Sequence, residues 1–121
     1  GASDYYVGGS TIYTRSAQKG LLLVPDETME GIRASSEPYA LLNAQTIRKA
    51  LGTDWALAET GASGPTGNRY GDSSGHACFA VTGPVEKVIT LETGDTDRER
   101  NMWVFAKRAL DLLIECINES Q

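Results

Sequence analysis

The residues best suited to chemistry are gathered in one stretch. From Gly61 to Gly75 the chain places Gly61, Gly64, Gly67, Gly71 and Gly75 among small or polar side chains. Glycines let backbone N–H groups approach an anion or a developing oxyanion closely. The stretch follows a strand-like segment, and ligands of open α/β sheets bind at such strand ends. It lacks the Gly-Lys-Ser/Thr ending of a nucleoside-triphosphate loop. A mobile surface connection is the other reading of so long a loop.

His76 comes directly after the loop. It is placed to orient a substrate or shuttle a proton, or to serve as a hydrogen-bonded structural residue. Asp72, Ser73, Ser74 and His76 are spaced too tightly to form the three converging arms of a hydrolytic triad. Tyr13 closes a strand-like run and can point its hydroxyl into a site, or simply fill the strand. Lys19 follows it, with Arg15 nearby; a lysine beside a small nucleophile can act as its base, whereas a solvated surface lysine does nothing chemical. Asp95, Asp97 and Glu99 suit a helix start, where acids complement the dipole. They offer too few ligands for a metal. Cys78 and Cys116 sit in apolar patterns and read as buried free thiols of a reducing compartment. No Cys/His cluster has metal-ligand spacing, so neither a metal nor another cofactor is expected.

The elements that must position these residues come next. The chain has 121 residues, the length of one domain. Its net charge of -5 and its interleaved basic residues argue against nucleic acid or anionic membrane as partners. No apolar run is long enough to span a bilayer. Tyr6 to Thr14 is β-branched and aromatic and predicts a strand with a glycine pair inside it. Ser16 to Leu23 predicts a short helix stopped by Pro25, and Asp26 to Glu30 one further turn. Ser36 caps a helix whose apolar residues Ala40, Ala44, Ile47 and Leu51 recur at three- and four-residue steps up to Gly52. Trp55 to Glu59 predicts a buried-type strand. His76 to Thr82 and Lys87 to Glu92 predict two more, joined by Gly83-Pro84. Gly94 to Asp97 opens a last helix, with Met102, Phe105, Ala109, Leu112, Leu113 and Cys116 facing inward. The expected fold is α/β, a three-layer sandwich of a mixed β-sheet flanked by helices.

Several segments together resemble the C-terminal domain of the competence/damage-inducible CinA family. Gly1-Ala2-Ser3-Asp4-Tyr5-Tyr6-Val7-Gly8-Gly9 with Ile12-Tyr13-Thr14 is similar to that family's glycine-pair and tyrosine stretch. Gly31 to Glu37 is similar to its "G-A-V-S-E" helix entry, and Thr60-Gly61-Ala62-Ser63-Gly64-Pro65 to its "(S/T)-G-I-A-G-P" loop. Gly75-His76 falls where the family has "G-T". Gly94-Asp95 with Arg98 resembles "G-D-R", and Leu110 to Leu113 matches the closing helix.

The resemblance implies a cytoplasmic, homo-oligomeric amidohydrolase that converts nicotinamide mononucleotide to nicotinic acid mononucleotide and ammonia. The alternative is a catalytically silent domain that binds a nucleotide or a partner. Tyr13 and Lys19 would be the catalytic residues present, although ungapped alignment puts Gln18 at the family's lysine position. Thr60, Gly61, Ala62, Ser63, Gly64, Asn68, Gly75, His76 and Arg98 would contact substrate, with Arg69 as a second candidate for the phosphate. The family's nucleophilic serine belongs to a helix start before the first matched segment. Residues 1–121 are thus expected to form the domain without its N-terminal strand and helix, active only if that segment is supplied. A valine at Gly64 is expected to abolish ligand binding while leaving the fold intact.

Overall fold

A computed structural model describes residues Gly1–Gln121. The short helix α1, Arg15–Leu22, starts where the Thr14 hydroxyl accepts from the amide of Ala17. Helix α2, Glu37–Leu51, starts where the Ser36 hydroxyl accepts from Tyr39 and ends at Gly52. Pro38 lies in its first turn, where a missing N–H costs nothing. Three strands follow, β1 Ala56–Ala62, β2 His76–Thr82 and β3 Lys87–Glu92, and then helix α3, Arg98–Glu119. Asp97 caps α3 by accepting from the amide of Arg100.

The sheet order is β1-β2-β3, and both pairings are antiparallel. The expected mixed sheet is corrected here, because these neighbours are joined by the glycine loop and a tight turn, which return the chain in the opposite direction. The strand expected over Tyr6–Thr14 does not form either. That segment has no strand partner, and Tyr5, Tyr6, Val7 and Tyr13 are all more than half exposed. Strand composition alone cannot satisfy the backbone of an isolated segment.

Three layers result. β2 is buried along its whole length, so both of its faces carry core. Ala77, Phe79 and Val81 meet Phe105, Ala109, Leu112 and Cys116 of α3. Cys78 and Ala80 meet Ala40 and Ala44 of α2 on the other face. Small residues at Ala40 and Ala44 let α2 lie close to the sheet. Phe79 and Phe105 pack edge-to-face at 6.2 Å, an arrangement suited to the ring quadrupoles. Both cysteines are free and buried. The helix α1 is held to α2 by the buried Gln18, whose amide donates to Asn43 Oδ1 at 2.8 Å.

Candidate active site

β1 delivers Thr60, Gly61 and Ala62 to the start of the glycine loop. The Thr60 hydroxyl accepts from the amide of Ser35 at 3.1 Å, tying the loop to the turn before α2. The carbonyls just beyond are also held. Asn101, fully buried in the first turns of α3, donates from Nδ2 to the carbonyls of Ser63 and Asp95, both at 2.9 Å. Its Oδ1 accepts from the Thr93 hydroxyl at 2.6 Å. Arg98 donates from Nη1 to the Gly64 carbonyl at 2.8 Å, its only hydrogen bond. The N–H groups of Ser63 and Gly64 donate to no acceptor in the chain. This turn therefore holds two consecutive backbone N–H groups without an acceptor in the chain, their carbonyls bonded elsewhere, beside the Arg98 guanidinium. Such an arrangement favours an anion or an oxyanion.

The far side of the loop is braced by charge. Asp72 takes two hydrogen bonds from the Arg33 guanidinium, at 2.8 and 3.2 Å, and one from the Asn68 amide at 2.8 Å. The Arg33 bonds hold its carboxyl below the usual carboxylate range, against an opposing effect of partial burial. Asn68 Oδ1 in turn accepts from the amides of Tyr70 and Asp72. Arg33 and Arg69 both lie over the Tyr70 ring, 5.1 and 5.0 Å from its centroid.

His76 is 5% exposed, with both ring nitrogens engaged. Nε2 lies 2.8 Å from the Ser35 carbonyl, and Nδ1 lies 2.5 Å from Glu92 Oε1. A carbonyl only accepts, so Nε2 carries a proton, and the charged form of the ring donates from Nδ1 to Glu92 as well. Burial alone would lower its pKa, but Glu92, the Ser35 carbonyl and Asp72 outweigh burial and raise it. Asp72 Oδ2 stands 3.6 Å from Nε2. The same network holds Ser35 at φ 59°, a left-handed conformation that costs a non-glycine residue about 1 kcal/mol or more.

The structure therefore brings Thr60, Gly61, Ala62, Ser63, Gly64 and Arg98 together, with Asn68, Gly75 and His76 in the layer behind them. Gly75 is buried, its amide donating to the Ala62 carbonyl at 2.8 Å. The loop is braced by side-chain hydrogen bonds of Thr60, Asn68 and Asn101. Tyr13 is 84% exposed, and no hydrogen bond joins it to the loop. Lys19 is turned to Asp26, 3.0 Å away, and Arg15 shares that carboxylate. Gln18 faces inward, where it holds α2. Ser74 is buried and donates to the Asp95 carbonyl at 2.9 Å, away from His76. The reading of Gly64 is corrected. It adopts φ 107°, and a Cβ there would collide with Ser74 Oγ and press on the Thr96 carbonyl, so a valine would disturb the fold itself. Sequence reasoning passed over Asn101, Ser35 and Glu92. Only Asn101 left a signal, a polar residue amid the apolar period of α3.

No helix is long and apolar enough to cross a membrane. The family model for the CinA C-terminal domain matches residues 1–117. A CinA-like protein of Synechococcus sp. (strain RCC307) is 36% identical over 104 residues, which are 86% of this chain and 25% of that protein. A CinA-like protein of Parasynechococcus marenigrum (strain WH8102) is 37% identical over 115 residues, 93% of this chain and 27% of that protein. The chain thus spans about a quarter of the length of these curated relatives. Among solved structures, the competence damage-inducible protein A of Klebsiella pneumoniae superposes with a TM-score of 0.80 at 25% identity, covering 90% of this chain and 68% of the other. The competence/damage inducible protein CihA of Agrobacterium tumefaciens gives 0.74 at 27% identity, covering 87% and 65%. On this match, and on the α/β fold shared with these neighbours, the chain belongs to the CinA C-terminal domain family.

Proposed function

We propose that this chain forms the substrate-holding part of a nicotinamide mononucleotide amidohydrolase. The reaction adds water across the carboxamide, breaking the C–N bond to give nicotinic acid mononucleotide and ammonia. The nucleophilic serine would come from chain outside residues 1–121, and the assembled enzyme would be a cytoplasmic homo-oligomer. The observation that carries this reading is the turn at Ser63 and Gly64, where two backbone N–H groups without an acceptor adjoin the Arg98 guanidinium. One such donor on a developing oxyanion contributes about 3 kcal/mol. Arg98 suits the 5′-phosphate. Thr60, Gly61 and Ala62 would line the pyridine side, while Asn68, Gly75 and His76 would hold the loop in shape. Tyr13 and Lys19 would join the site once their segment is drawn in beside the serine.

The silent binding domain remains a second reading, favoured by one observation. No hydrogen bond joins a serine of the loop to Lys19 or His76, so the chain by itself has no serine paired with a base. The test compares this chain with a longer one that carries a relative's serine-bearing segment. Each is incubated with nicotinamide mononucleotide and assayed by mass spectrometry. Product from the longer chain alone supports the proposal. Binding without product from either chain supports the silent domain.

A further inference from the structure

Ser35 holds a backbone conformation that glycine would adopt with less strain. Its φ is 59°, where the Cβ of any other residue is crowded. The main chain of Ser35 is fully engaged. Its amide donates to the Thr60 hydroxyl at 3.1 Å, and its carbonyl accepts from His76 Nε2 at 2.8 Å and from Arg33 Nη1 at 3.4 Å. The side chain is not. Ser35 is only 6% exposed, yet its hydroxyl makes no hydrogen bond within the chain. Every fully buried side-chain oxygen or nitrogen has a partner, so this hydroxyl reaches a narrow opening in the surface. The adjacent Thr60 hydroxyl accepts from the Ser35 amide, and its own hydrogen has no acceptor. Strain that the fold does not use is often kept for a ligand.

The surroundings favour a neutral hydrogen-bonding group. Arg33 Nη1 also donates to Asp72 Oδ2 at 2.8 Å, and Asp72 Oδ2 stands 3.6 Å from His76 Nε2, so this carboxylate adjoins the Ser35 carbonyl. Glu92 lies behind His76, and Glu37 behind Thr90, whose hydroxyl is 3.4 Å from Cys78 Sγ. Three carboxylates face only Arg33 and the His76 ring, which leaves no surplus of positive charge for a phosphate.

We propose that the Ser35 and Thr60 hydroxyls bind the ribose hydroxyls of the substrate, making Ser35 a further substrate contact. The assignment rests on the amidase reading. In that reading the Ser63 and Gly64 amides serve the carboxamide and Arg98 serves the 5′-phosphate. The 2′- and 3′-hydroxyls are the polar groups of nicotinamide mononucleotide that still need partners. A hydroxyl both donates and accepts, so two of them pair readily with side-chain hydroxyls beside a carboxylate.

Calorimetric titration with nicotinamide mononucleotide and with its 2′-deoxy and 3′-deoxy analogues tests this in wild type, Ser35→Gly and Ser35→Ala. Both variants lack the hydroxyl, and only glycine relieves the strain. Ser35→Gly should keep or raise the thermal midpoint while binding nicotinamide mononucleotide about tenfold more weakly. Wild type should bind at least one deoxy analogue about tenfold more weakly than the parent, and neither variant should retain that preference. Equal weakening of all three ligands by both variants would put the hydroxyl against another group and overturn the proposal. Unchanged affinity in the variants, or a lowered midpoint in Ser35→Gly, would overturn it and leave the amidase reading standing. A wild type that binds none of the three ligands would bring down that reading and this contact together.

Discussion

The Ser35 carbonyl accepts from His76 Nε2 at 2.8 Å across 41 residues of sequence. This bond joins the turn before α2 to the first residue of β2, and Glu92 completes it from β3. One imidazole ring thus fixes three elements around the back of the loop. His76→Phe leaves the Ser35 carbonyl and the Glu92 carboxylate without their donor. It should cost about 2 to 3 kcal/mol, read as a lower urea midpoint with an unchanged slope.

The same ring predicts a pH dependence. The pKa of His76 is raised in the folded chain, while the unfolded value is about 6.5. Its contribution is therefore complete below about pH 6.5 and is lost as pH rises through the folded value. Urea midpoints measured from pH 6 upward should fall in the wild type, and the part of that fall due to this ring should vanish in His76→Gln.

Two glycines of the loop should respond differently to the same change. Gly64 and Gly71 both have positive φ, at 107° and 93°. A Cβ at Gly64 meets Ser74 and Thr96, whereas at Gly71 it meets nothing within 4 Å. Gly71→Ala should cost about 1 kcal/mol from backbone strain alone. Gly64→Ala should cost several times more, measured as the difference in thermal midpoint.

Asn101→Leu should destabilise the chain by about 3 kcal/mol, because it strips the donor from the Ser63 and Asp95 carbonyls and the acceptor from Thr93. It should also release the turn at Ser63 and Gly64. Nicotinamide mononucleotide binding, followed by calorimetry at a temperature where the variant is still folded, should weaken.

The helices and two of the strands were legible because their signals are local. Ser36, Pro38 and Gly52 mark α2, and Ala40 and Ala44 are buried as their spacing requires. The bounds of β3 follow from its alternation, and Gly83-Pro84 marks the turn that separates it from β2. In α3 the period found Phe105, Ala109, Leu112 and Cys116 but also included Met102, which faces outward, and it skipped the buried Asn101. A strand needs a neighbour, and Tyr6–Thr14 carries strand composition without one. In the site, the glycine loop announced itself by composition. Its braces did not, because Ser35, His76, Glu92, Arg33 and Asp72 meet only through tertiary contact.

The central claim is that the turn at Thr60–Gly64, with Arg98, holds a pyridine mononucleotide. The direct measurement is a two-dimensional amide NMR titration of the chain with nicotinamide mononucleotide, repeated with nicotinamide riboside, which lacks the phosphate. The account predicts that the Ser63 and Gly64 amides move first and furthest. It also predicts binding about tenfold or more weaker for the riboside, a difference that Arg98→Gln abolishes. Shifts confined to other parts of the surface, or equal affinity for the two ligands, would contradict it.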